Sequence, residues 1–144
     1  MNNPTLTSIA LTILRVVLGF IFVVHGWQKY NDIGLAGMQS GFGQMGIPAA
    51  EVTGILVVLL ELVGGFLLIL GFLSRLIAAL LTVEMLGAGA FVHASAGFFV
   101  NEGGYELVLI LAAAALTIVL AGPGRFSLDY ALFGRRRSRL STLA

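Results

Sequence analysis

Four apolar runs, at about residues 6–27, 52–72, 76–96 and 105–121, take up more than half of this 144-residue sequence. Three of them hold one ionisable residue near the middle: Arg15, Glu61 and Glu84. A membrane-spanning helix needs about 20 predominantly apolar residues, so each run is predicted to cross a bilayer as a helix. An ionisable side chain at that depth costs upwards of about 2.5 kcal/mol unless it turns inward and finds partners. The runs and their charges together predict an all-α membrane protein. It is a four-transmembrane-helix bundle, with short interfacial helices in the first loop and after the fourth span.

Composition closes off the soluble alternatives. Hydrophobic residues make up 58% of the chain and charged residues 10%, where a soluble domain carries about 25% charge. The connections between spans are short, so there is no room for a soluble catalytic domain or a nucleotide-binding unit. The chain reads as one membrane domain, residues 1–134, followed by a basic tail, residues 135–144. It has no cysteine, which removes thiol redox chemistry, iron–sulfur ligation and thiolate zinc sites. No metal site is evident. No Lys or Arg precedes the first run and Arg15 sits inside it, so an uncleaved span is expected rather than a signal peptide.

Four spans place both termini on one side. Arg135, Arg136, Arg137 and Arg139 cluster in the tail, and by the positive-inside rule that side is cytoplasmic. Arg75 and Arg125 fall on the same side and Lys29 on the other. Trp27, Tyr30 and Tyr105 suit the outer aromatic belt. Nucleic acid is not an expected partner, because a juxtamembrane basic cluster is a topology signal first. Between the first two spans, Leu35, Met38, Phe42 and Met45 recur at helical spacing. They predict a short amphipathic helix on the interface, ended by Gly46.

Helical spacing also groups the charges. Arg15, Gly19, Phe22, Gly26 and Lys29 share a stripe on the first span. Gly54, Glu61, Gly65 and Leu68 share one on the second, and Glu84, Gly87, Ala88, Phe91 and Ser95 one on the third. Small residues beside a charge let helices approach closely. The expectation is a buried cluster of Arg15, Glu61 and Glu84, with one glutamate carrying a proton to remove the excess negative charge. Such a cluster could serve only as glue that fixes helix register, or as a proton relay or headgroup site.

A second constellation lies toward the outer end: His25, Gln28, Lys29, His93, Tyr105 and Glu106, with Glu102 nearby. His25 shares a face with Gln28 and Lys29. Three readings stay open here. The groups are simply hydrated at the interface; they hydrogen-bond a quinone or similar ring in an apolar pocket; or His25 and His93 hold a haem, the least favoured of the three.

The motifs, taken in order, resemble the DoxX family. Leu14-Arg15, Gly19-Phe20 and His25-Gly26-Trp27-Gln28-Lys29 are similar to its first-helix pattern. Glu61-Leu62-Val63-Gly64-Gly65 is similar to its second, and Gly71-Phe72-Leu73-Ser74-Arg75-Leu76 to its turn. His93, Gly97-Phe98-Phe99 and Gly103-Gly104-Tyr105-Glu106 follow, then Gly122-Pro123-Gly124-Arg125-Phe126-Ser127-Leu128-Asp129. The resemblance runs from Arg15 to Asp129, with Ser74 and Phe126 as slight departures. It implies a bacterial inner-membrane protein of four helices, linked in some relatives to quinones and in others to soluble redox enzymes. The expected function is therefore a redox- or quinone-linked component that binds an apolar small molecule near the outer leaflet. The alternative is a non-catalytic membrane scaffold that recruits a soluble redox partner. A homodimer stays open, and so does a catalytic role. No cofactor is evident in the chain itself.

Overall fold

In the computed structural model, which describes residues 3–134, the chain is helical and the described residues form no strand. Helix α1 spans Pro4–Gln28, with Pro4 at its first position and the Asn3 side chain accepting from the N–H groups of Thr5 and Leu6. Proline there removes a donor that the helix could not satisfy anyway. The helix continues as a π-turn, Lys29–Ile33, and breaks at Gly34, where φ is +74°. Helix α2, Gly34–Gln44, folds back against α3, Ala50–Leu59. A second π-turn, Leu60–Gly64, joins α3 to α4, Gly65–Leu70. After a tight turn come α5, Ser74–Ala88, and a third π-turn, Gly89–His93. Two short 3-10 turns lead to α6, Glu106–Ala121, and α7, Leu128–Phe133.

Three continuous helical stretches are long and apolar enough to cross a membrane: Pro4–Gln44, Ala50–Leu70 and Ser74–Ala96. The predicted fourth span is a shorter apolar helix, Glu106–Ala121. Its 16 residues rise about 24 Å, short of a hydrocarbon core of about 30 Å. Large apolar side chains cover the outside, among them Phe20, Phe66, Val83, Ile110 and Leu120. The inside is built from Leu18, Phe22, Leu68, Leu81, Ala115 and Ile118.

Glycine sets the register between α1 and α4. A Cβ at Gly19 would come within 2.5 Å of the carbonyl oxygen of Gly65, and one at Gly26 within 2.8 Å of the backbone nitrogen of Leu62. The two backbones run antiparallel and almost touch. That contact fixes which residue of α1 faces which residue of α3–α4, and so decides where its two cations go.

Helix α2 covers the residues that the sequence reads as a short amphipathic helix, and part of its apolar side packs inward. Met38 is buried and Phe42 half-buried, and both face α3 and α5 across a cavity. A Schellman-type end, with Ile47 N–H donating to Phe42 O and Gly46 N–H to Gly43 O, stops the helix as the sequence predicts.

Candidate functional site

The buried charges fall into two groups, one around Arg15 near the middle of α1 and one around Lys29 just past its last residue, rather than into one cluster. Arg15 and Lys29 are 14 residues apart, about 21 Å along a helix. The expected Arg15–Glu61–Glu84 cluster is therefore divided. Arg15 meets neither glutamate; Lys29 takes its place.

At the turn end, Arg15 is 3% exposed. Its Nη1 donates to the carbonyls of Leu68 (3.3 Å) and Ile69 (2.7 Å), and its Nη2 donates to Phe126 O. The first two are last-turn carbonyls of α4; Leu68 O also accepts from the Gly71 N–H at 3.0 Å. Across the α4–α5 turn, Asp129 does the reverse. Its carboxylate accepts from the N–H groups of Leu73 (2.7 Å) and Ser74 (2.8 Å), at the start of α5. A cation thus closes one helix C-terminus and an acid closes the next N-terminus, each in the favourable sense of the helix dipole. Gly71, between them at φ +72°, abuts the guanidinium so closely that a Cβ would collide with it. The arrangement ties α1, α4, α5 and α7 together and leaves little of either charge for chemistry.

The loop end is different. Lys29 Nζ donates to Glu61 Oε1 at 2.5 Å, with Glu61 only 2% exposed. Glu84 lies beside both. Neither of its carboxyl oxygens, nor Oε2 of Glu61, has a hydrogen-bond partner among the described residues, and all three atoms are buried. Burying an unpartnered carboxyl is costly.

Beside it opens a cavity of about 440 Å³ between α2, α3 and α5. Its wall is mostly apolar, with Met38, Phe42, Met45, Met85 and Phe91. Lys29, Glu84 and His93 provide its ionisable groups. His93 Nδ1–H donates to Gly103 O at 2.7 Å, which leaves Nε2 as the acceptor of the neutral ring. The volume falls in the range of small-molecule sites, which pair an apolar lining with a few placed polar groups.

The π-turns mark this region. Lys29 opens the first, Glu61 lies in the second and His93 closes the third. Such turns insert an extra residue into a helix and are frequent at functional sites. Hydropathy alone does not reveal them.

The other sequence candidates have local roles. His25 Nδ1–H donates to Ile21 O within its own helix, 2.9 Å away, and His25 does not line the cavity that His93 lines. Glu106 Oε2 accepts from Val100 N–H at 3.0 Å and pins the loop. Tyr105 packs edge-on against Phe98 and borders a smaller pocket with Met85 and Val108. Gln28 is exposed and outside the cavity. The basic tail, Arg135 to Arg139, lies outside the described residues.

Two roles had gone unread in the sequence. Asp129 had been noticed only as part of a motif, although Ser127 before it is a recognisable cap whose Oγ accepts from Tyr130 N–H. The Lys29–Glu61 pair was missed although Lys29 was already on the stripe of Arg15. An antiparallel register through Gly19, Gly26 and Gly65 would have found it.

Comparison with known proteins adds to this geometry. The DoxX family profile matches residues 10–94. An uncharacterized protein of Haemophilus influenzae is 36% identical over 126 residues, covering 85% of this chain and 90% of the relative. The "Putative oxidoreductase CatD" of Bacillus subtilis is 30% identical over 135 residues, covering 93% and 96%. The "Inner membrane protein YqjF" of Escherichia coli is 31% identical over 125 residues, covering 86% and 92%. No solved structure matches.

Proposed function

This chain belongs to the DoxX family of membrane proteins, and on that footing we propose that it is a redox-linked component of the bacterial inner membrane that binds an apolar ring of the quinone class. It crosses the bilayer four times, with α6 as the fourth span. Its termini lie in the cytoplasm, as the basic tail directs. Helices α2 and α7 then sit near the two interfaces, and the cavity opens toward the outer leaflet.

The observation that carries this reading is Glu84. It is a buried carboxyl on the wall of an apolar cavity, and its one polar neighbour in hydrogen-bonding reach among the described residues is the Glu61 carboxyl. One proton held by the two carboxyls balances the single ammonium. That proton, and those of Lys29, can meet the oxygens of a bound ring, while His93 Nε2 accepts from a ring hydroxyl. Reduction of a quinone takes up two electrons and two protons. The chain's own groups supply a route for protons, and the electrons are assigned to a partner protein, because the chain has no cysteine and the redox atoms in such systems belong to cofactors. The name of the Bacillus subtilis relative supports a redox setting.

The test is a titration of the purified full chain with a short-chain quinone, read as a shift in melting temperature. Trp27 is 58% exposed and outside the cavity, so its emission is a poor reporter. Saturable stabilisation is expected, and Glu84→Gln should weaken it by about tenfold or more, the value of a hydrogen bond to an ionised or strongly polar group. If no quinone shifts the melting point of the wild-type chain, the reading fails.

A further inference from the structure

The turn end holds a second cavity, of about 680 Å³, which the proposed function does not use. Thr7 and Ser8 of α1, Arg75 at the start of α5, Arg125 in the turn after α6, and Tyr130 of α7 line it. The site is built by the Gly122-Pro123-Gly124 turn. At Gly124, φ is +82° and a Cβ would come 3.0 Å from Ser8 O, so the turn lies directly on α1. At Gly122, φ is +85° and a Cβ would come 3.2 Å from the Arg75 guanidinium. Ser127 Oγ closes the turn by donating to Gly124 O at 2.8 Å.

The charges in this cavity do not cancel. Neither Arg75 nor Arg125 has an ion-pair partner among the described residues. Arg75 is half-buried, and its Nε is buried without a hydrogen-bond partner. The acid that shares the cavity, Asp129, is already committed to Leu73 and Ser74 and faces Arg15. Two guanidinium groups therefore stand beside a pocket with no carboxylate left for them. The sequence then continues from Gly134, itself on the cavity wall, into Arg135, Arg136, Arg137 and Arg139. Exposed apolar residues, Leu6 of α1 and Leu120 of α6, lie on the same helices that border the cavity.

From this geometry we infer that the cavity binds a phosphate group, presented by an anionic phospholipid. Guanidinium forks match phosphate oxygens in pairs. Basic pockets between membrane helices on the cytoplasmic side are suited to such headgroups. The acyl chains would lie along the apolar outer surface beside α1 and α6. The inference is independent of the ring site at the other end of the bundle.

The experiment uses the purified full chain in an uncharged detergent. Phosphatidylglycerol, phosphatidylcholine or sodium phosphate is added at matched ionic strength, and melting temperature and native mass spectra are recorded. Phosphatidylglycerol should raise the melting temperature and stay bound, and phosphatidylcholine should do so much less. The double variant Arg75→Gln/Arg125→Gln should bind phosphatidylglycerol about thirtyfold more weakly, as expected for two basic contacts near a membrane surface. Replacing the four tail arginines with glutamine should leave most of the effect in place. Equal protection by sodium phosphate supports the phosphate chemistry with a free anion as its source. Equal protection by both lipids overturns the inference. So does a tail variant that abolishes the effect while the double variant keeps it. Should the double variant not fold, Thr7→Glu decides. Thr7 is exposed in the first turn of α1, where an acid is compatible with the helix. The new charge faces the cavity and should weaken phosphatidylglycerol binding; unchanged binding would overturn the site.

Discussion

Two cations turn inward from the first helical stretch, buried Arg15 near the middle of α1 and half-buried Lys29 just past its end, and they are used differently. At the turn end, Arg15 is spread over three carbonyls from two segments, with Asp129 as its nearby counter-charge. At the loop end, Lys29 pairs with one oxygen of Glu61, and a second acid, Glu84, lies beside them at an open cavity. The first arrangement ties helix ends together through backbone groups. Each leaves buried atoms unpartnered, Arg15 Nε in the first and Glu61 Oε2 with both Glu84 oxygens in the second. A buried charge is not by itself a sign of function; what separates the two is the cavity that opens beside the second.

Substitutions can sharpen this contrast. The largest loss is expected for Arg15→Leu. It takes the guanidinium donors from Ile69 O and Phe126 O and leaves Asp129 buried without its cation, a defect of about 3–5 kcal/mol. The variant should barely accumulate as folded protein in detergent extracts. Wild-type yield and melting temperature would remove the brace from the argument.

Lys29→Met comes next. It leaves Glu61 facing Glu84 with no cation, and should lower the melting temperature clearly. The double variant Lys29→Met/Glu61→Met should recover most of that loss, because replacing both members of a buried pair by apolar groups is often neutral or better. A double variant as unstable as the single one would mean that Lys29 acts through other contacts. Arg15 should show no such rescue with either glutamate.

Asp129→Ala should cost about 1–2 kcal/mol, the loss of a helix cap, with quinone binding unchanged. The smallest effect on stability is expected at the loop end. Glu84→Leu removes an unpartnered buried carboxyl, so stability should hold or rise while quinone binding falls. If Glu84→Leu destabilises the chain as Arg15→Leu does, the two ends are not different in kind.

Much of this was legible in the sequence. Apolar runs and glycine breakers located the long helices, and the charge spacing picked Arg15, Glu61 and Glu84 as inward-facing. What misled the pairing was charge count. One arginine and two glutamates looked like a complete set, while Lys29 was grouped with the outer constellation of His25 and Gln28. Lysine has a long apolar stem that can carry its head inward. Asp129 was hidden for a different reason. Its partners, Leu73 and Ser74, are more than 50 residues away, and no local pattern reports a capping bond over that separation.

The sequence by itself determined that this chain is a helical membrane protein with charges turned inward, because a bilayer offers an ionisable group no other place. It also determined the family. The tertiary structure decided which cation meets which acid. That choice depends on the antiparallel register of α1 against α4, set where Gly19 and Gly65 bring the backbones together. Glu84, on α5, was left against a cavity. Spacing along one helix fixes the face a residue occupies, but only contact between helices fixes its depth relative to another.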